Sequence, residues 1–187
     1  VYTAEEFYLS AEKTGGLMRR TWRWLKAPRV ELADRVFVCP RGVDAVQFTP
    51  DRKSQVGRAK LIELAGIPGE AFAILYAGRI SPEKNVGLLI EMMKELASDT
   101  RDFRLVVAGA GPQEEWLRSE GEKLGENKVV LLGHRDKDTL ADLYANADVF
   151  VHPNPKEPFG IAPLEAMASG VPTVAPRAGG ILSYATD

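Results

Sequence analysis

From residue 71 onward the chain alternates between two kinds of pattern. Short, almost wholly apolar runs occur at residues 71–79 (AFAILYAGR), 103–109 (FRLVVAG), 129–134 (VVLLGH), 148–153 (DVFVHP) and 172–176 (PTVAP). Each predicts a buried strand. Between them, SPEKNVGLLIEMMKELASD carries Val86, Leu89, Ile90, Met93 and Leu96 at helical spacing, with Ser81 placed to N-cap and Pro82 at the first helical position. PQEEWLRSEGEKLG, DKDTLADLYANA and APLEAMASG predict three more helices, the first of them ended by Gly125. RKSQVGRAKLIELAGI predicts an opening helix for the same domain.

Strand and helix in strict alternation, joined by short links, imply an α/β, Rossmann-like doubly wound parallel sheet. The strands are apolar throughout rather than alternating, as expected when helices cover both faces. In such sheets ligands sit outside the carboxyl ends of the strands. That directs attention to the loops at residues 78–84, 109–112, 133–138 and 152–163.

The first 70 residues differ. Residues 1–35 are mostly helical in composition, and RVFVCP (residues 35–40) predicts a strand. Residues 39–51, with RGVDAVQFTP, carry the Gly and Pro punctuation of a linker. Residues 52–187 form the main domain. MRRTWRWLKAPR has two readings: a surface helix dipping Trp22 and Leu25 into anionic lipid, or a helix packing tryptophan onto a neighbouring domain.

Composition narrows the function. Hydrophobic residues make up 45% and charged residues 27% of the 187 positions, with a net charge of −2. This is an ordinary globular composition, without the basic excess of a phosphate-tracking protein, so nucleic acid is not expected as a partner. A single cysteine, Cys39, permits no internal disulfide. No apolar run approaches the ~20 residues that span a bilayer. The polar, acidic start VYTAEEFYLSAEK reads neither as a signal peptide nor, lacking Met, as a natural beginning, so the chain is expected to be a fragment.

The ligand-edge loops carry candidate chemistry. GRISPEKN places Arg79 at the end of a strand and Lys84 in the next turn, two cations suited to a phosphate or diphosphate, or else surface charges pairing with Glu83 or Glu91. In EPFGIAPLEAMASG, Glu157 and Glu165 are separated by seven residues. Gly160 permits close backbone approach. The free N–H groups of Gly160, Ile161 and Ala162 at a helix start make an anion site. Without a ligand, Glu157 reads as a solvated loop carboxylate and Glu165 as a first-turn acid that stabilises the helix. In AGAGPQEEW, Gly109 and Gly111 open a dinucleotide-like fingerprint, but Glu114 stands where its third glycine belongs. The pair therefore reads as a tight turn beside a nucleotide. Asp136-Lys137-Asp138 resembles a metal-holding acidic pair, yet it lies where a helix begins, and Asp138 reads as an N-cap or first-turn acid. His134, His152 and Cys39 show no metal-ligand spacing, so no metal is expected. No serine sits in a nucleophile elbow.

Taken together, RGVDAVQFTP, YAGRISPEKNVGLLIEMMKEL, LVVAGAGPQEEWL, VVLLGHRDKDTLADLYANADVFVHP and EPFGIAPLEAMASGVPTVAPRAGG resemble the retaining glycosyltransferases of family 4 (glycosyl transferases group 1). The resemblance runs from about residue 41 to 180. It implies the C-terminal, nucleotide-sugar-binding half of a GT-B fold, with residues 1–38 a remnant of the N-terminal acceptor domain. It implies transfer of a hexose, from a GDP-mannose or UDP-glucose type donor, to a glycolipid or surface-glycan acceptor. No metal or further cofactor is implied. By the same resemblance, Arg79 and Lys84 bind the diphosphate. Glu157 contacts the donor sugar near the anomeric centre. Gly160, Ile161 and Ala162 cradle phosphate, Glu165 bonds the ribose, and His134 and Arg135 run past the base. A cytoplasmic location follows, with peripheral contact at the inner membrane face left open. Against the family pattern, ADRVFVCPRGVD is almost fused and the chain stops at Asp187, before the family's closing helices. This chain alone is therefore expected to bind donor weakly and transfer nothing. A non-catalytic nucleotide-sugar-binding module of the same fold is the alternative.

Overall fold

The computed structural model describes residues 42–185. RVFVCP, the Trp-containing basic stretch and the N-terminal remnant lie outside the described residues. The compact unit begins at Gly42.

Its elements are α1 (Gln55–Ala65), β1 (Phe72–Ala77), α2 (Gly87–Leu96), β2 (Phe103–Ala108), α3 (Glu114–Glu122), β3 (Val129–Gly133), α4 (Lys137–Asn146), β4 (Val149–Val151), α5 (Ile161–Ala168) and β5 (Thr173–Val174). The five strands form one sheet in the order β3-β2-β1-β4-β5. All pairings are parallel. The doubly wound architecture of the sequence analysis is the observed one.

Each face of the sheet has its own core. Alternate residues of β1 point to opposite sides, as the period of a strand requires. Ala73, Leu75 and Ala77 join Leu61, Ala141, Leu143, Tyr144, Phe150 and Ala166 on the face covered by α1, α4 and α5. Ile74 and Tyr76 join Leu89, Ile90, Met93, Leu105, Val107 and Leu117 under α2 and α3. Both sides of β1 are therefore apolar, which is why its sequence shows no alternation.

Two local expectations, a single helix over residues 81–99 and a cap at Ser81, are corrected. Residues 81–99 do not form one helix. Pro82–Lys84 is a single 3-10 turn, Asn85 adopts the left-handed conformation (φ 55°), and α2 starts only at Gly87. Ser81 makes no capping bond; it precedes the Pro82–Lys84 turn and is buried, at 1% exposed. The α4 cap is Asp136, which accepts from the Thr139 N–H at 2.9 Å, and Asp138 lies in the first turn. Residues 42–51, expected as linker, pack on the domain: Phe48 is 2% exposed and meets Tyr144 edge-on at 5.9 Å between ring centroids. Among the described residues no helix is long and apolar enough to cross a membrane.

Candidate functional site

The chain leaves β1 towards β2 and β3, then returns to place β4 on the other side of β1. The loops after β1 and β4 thus run in opposite directions and open a crevice between them, the switch point at which doubly wound sheets bind ligands. A cleft of about 410 Å³ opens at this carboxyl edge, lined by Gly78 and Arg79 after β1, Gly109 after β2, His134 and Arg135 after β3, and Ile161, Ala162 and Glu165 on α5. That size suits a small organic ligand.

The turn into α5 is set by Gly160, whose φ of 84° is open to glycine at little cost. No side chain caps this helix start, so its first N–H groups face the cleft edge with the positive end of the helix dipole. The Gly160 carbonyl is tied down from behind by the Tyr184 hydroxyl, which donates to it at 2.5 Å. The turn at Gly179–Ser183 presses close against the same loop. A Cβ on Gly180 would lie 1.8 Å from the Pro158 carbonyl oxygen, and the Gly180 N–H donates to the Glu157 carbonyl at 2.8 Å.

Glu157 and Glu165 occupy different surroundings. The Lys84 ammonium donates to Glu157 Oε2 at 2.6 Å and the Asn154 amide donates to the same oxygen at 3.2 Å. Burial pushes the Glu157 carboxyl up, but the Lys84 hydrogen bond and charge outweigh it, and the group is held below the usual carboxylate range. Among the described residues Glu165 forms no salt bridge, and Lys137 is the only cation whose charge lowers it, as its weakest influence. Burial raises it, opposed mainly by the Tyr144 hydroxyl, which donates at 3.3 Å. Burial and the neighbouring Glu165 in turn raise the Tyr144 phenol. One glutamate is thus a paired anion, and the other a half-buried carboxyl facing the cleft.

Of the residues singled out in the sequence, Arg79, Gly109, His134, Arg135, Ile161, Ala162 and Glu165 share the one cleft. Lys84, Glu157 and Gly160 form a cluster at its edge, and the cation pairs with Glu157 rather than with Glu83 or Glu91. Gly111 stands apart from the cleft lining. A Cβ there would lie 2.2 Å from the Ile80 carbonyl oxygen, and one on Gly109 would lie 1.8 Å from the Gly78 carbonyl oxygen. Both glycines are needed because the loops after β1 and β2 touch. Sequence reasoning missed Asn154, Tyr144 and Tyr184, and weighed His152 only to reject it as a metal ligand. His152 could have been found from its place at the end of a strand. Tyr184 is 24 residues from its partner, and nothing in the local pattern links them. Among the described residues no group of three or more His, Cys, Asp or Glu is placed to hold a metal ion.

A doubly wound sheet with a cation-bearing cleft at its switch point, beside an uncapped helix start, defines the class: a Rossmann-like domain matching the C-terminal half of GT-B glycosyltransferases. Residues 58–187 match the family model for glycosyl transferases group 1, and the chain belongs to that family. It is 39% identical over 150 residues to sulfoquinovosyl transferase SQD2 of Arabidopsis thaliana, covering 80% of this chain and 27% of that protein. It is 34% identical over 183 residues to a GDP-mannose-dependent alpha-mannosyltransferase of Corynebacterium glutamicum, covering 88% of this chain and 41% of that protein. The crystal structure of Anabaena HepE in complex with UDP-glucose matches with a TM-score of 0.69 at 29% identity, over 83% of this chain and 42% of that one. The chain therefore spans less than half the length of each of these relatives.

Proposed function

We propose that this chain supplies the donor site of a retaining hexosyltransferase, which moves a sugar from a nucleotide-diphosphate donor of the GDP-mannose or UDP-glucose type to a glycolipid or surface-glycan acceptor. The observation that carries this reading is the convergence of Arg79, the free N–H groups of Gly160, Ile161 and Ala162, and Glu165 at one cleft edge, with Lys84 and Glu157 beside them. Relatives support the donor class: HepE was solved with UDP-glucose, and the Corynebacterium relative is named for GDP-mannose.

In this reading the diphosphate lies between the two cations and the α5 N-terminus. Breaking the sugar–phosphate bond leaves negative charge on the diphosphate. Groups already aimed at that charge stabilise the transition state more than the ground state, which lowers the barrier. Glu157 holds the sugar near its anomeric carbon, Glu165 accepts from the ribose hydroxyls, and the backbone at His134 and Arg135 passes the base. The positive charge comes from Arg79, Lys84 and the helix end, so the step needs no metal. Retention proceeds on the front face, with the departing phosphate taking the acceptor's proton.

The test is titration with UDP-, GDP- and ADP-sugars, followed by transfer assays in the whole protein. One donor class is expected to bind saturably. Glu157→Gln should retain binding and lose at least ~100-fold in transfer, the scale of losing one group that acts in the transition state. No saturable binding of any donor sinks the reading. Undiminished transfer by Glu157→Gln would instead assign a binding role without catalysis to that carboxylate.

A further inference from the structure

His152 directly follows β4, with its side chain 6% exposed. Its Nε2 has no hydrogen-bond partner among the described residues, yet it lies 3.9 Å from Glu157 Oε2. That oxygen already accepts from Lys84 and Asn154. Of these groups Lys84 is the outermost, its side chain 28% exposed against 14% for Glu157, and its ammonium sits on a four-carbon flexible stem. An anionic ligand in the neighbouring cleft attracts that ammonium. Once it moves, Glu157 is left as a largely buried carboxylate without its counter-charge, a costly state unless another donor steps in.

We infer that His152 is the positioning residue for Glu157, taking over the carboxylate through Nε2 when an anionic ligand draws Lys84 away. This rests on the proposed donor site, because it takes the diphosphate to be the ligand that draws Lys84. The exchange keeps Glu157 at one place while its cationic partner moves from a lysine to a histidine.

The surroundings of His152 set the sign of the proton exchange. The ionised groups facing it are Glu157 in its own loop and Lys84 from the turn after β1; a backbone group of Asn154 is the remaining polar contact. Tyr76 and Tyr184 face Glu157 from β1 and from the C-terminal turn, and burial raises both phenols, so neither carries charge near neutral pH. Burial lowers His152, Glu157 opposes this, and Lys84 adds to the lowering, so the imidazole is held below its ordinary value of 6.5 and is neutral. Departure of Lys84 removes one lowering influence, while burial still lowers the imidazole and Glu157 still raises it, so the net change is upward. Ligand binding is then accompanied by proton uptake, and affinity falls as pH rises through the imidazole range.

Two measurements on the 187-residue chain decide the matter. The first follows imidazole titration by NMR, which is tractable because the chain has two histidines. Lys84→Met is expected to raise the His152 titration, and the further change Glu157→Gln to cancel that rise. A folded Lys84→Met chain whose His152 titrates unchanged overturns the inference. The second measures the heat of UDP-glucose and GDP-mannose binding in buffers of different ionisation enthalpy. These donors carry no diphosphate ionisation near neutrality. Uptake of up to about one proton per donor, lost in His152→Gln, supports the inference, and binding without uptake overturns it. If neither donor binds, the donor reading fails while the NMR result still decides the role of His152.

Discussion

At the residue scale, two acids of the same chemistry, one in the loop before α5 and one on α5, are in opposite electrostatic states. Glu157 is paired and kept ionised by Lys84, whereas Glu165 is raised by burial against the weaker opposing pull of the Tyr144 phenol and Lys137. One residue that ties this loop to the rest of the domain is Tyr184, through the Gly160 carbonyl. Burial, with Glu157 second, pushes its phenol up to about 12, so the hydroxyl remains a donor at any working pH. Tyr184→Phe removes one hydrogen bond while leaving the ring against Phe159, 5.1 Å away between centroids. The expected cost is about 1 kcal/mol in denaturant unfolding, together with a rise in the donor KM from a less fixed Gly160 turn. An unchanged KM would show that the turn holds its shape without this bond.

At the scale of elements, the loops after β1 and β2 decide the shape of the cleft. They lie so close that the glycine positions are dictated by backbone atoms rather than by a ligand. Gly109→Ala is expected to destabilise the domain by at least ~3 kcal/mol, because the new methyl would have to displace main chain and not a flexible side chain. Gly69→Ala is the matched control: a Cβ there meets nothing within 4 Å, and the change should stay within about 0.5 kcal/mol. Thermal or urea unfolding of both variants checks the pair. The sequence led to a correct description of these glycines as a tight turn, but it could not say what the turn was tight against. The break between the Pro82–Lys84 turn and α2 was equally hidden. Apolar spacing from Val86 to Leu96 is helical in either case, and the interruption comes from one residue, Asn85, whose left-handed backbone leaves no mark on that spacing.

At the scale of the whole molecule, residues 42–51 carry the Gly and Pro punctuation of a linker and also pack on the domain that follows. Gly and Pro marked the stretch as a linker, and only the packed structure shows Phe48 buried against α4. Phe48→Ala is expected to cost about 3–5 kcal/mol, the range for removing a buried aromatic ring, and to lower the stability of the entire unit in a single transition. Melting followed both by far-UV circular dichroism and by fluorescence tests this: separate transitions would show that the segment packs independently.

By itself the sequence determined the parallel sheet, its helices on both faces, the family and the loops that meet at the ligand edge. These follow from short-range pattern: apolar runs, helical spacing, and glycine or proline at the ends of elements, all readable within a dozen residues. Tertiary structure alone decided which side chains share the cleft, that Lys84 is held by Glu157 and not by the nearer Glu83, and that His152 waits beside the same carboxylate. It also decided that Tyr184 holds Gly160 from the far end of the chain. The physical reason is that hydrogen bonds and charge pairs act over a few ångströms of space. Folding brings β1, β4 and the last turn within that distance, although 73 positions separate Lys84 from Glu157.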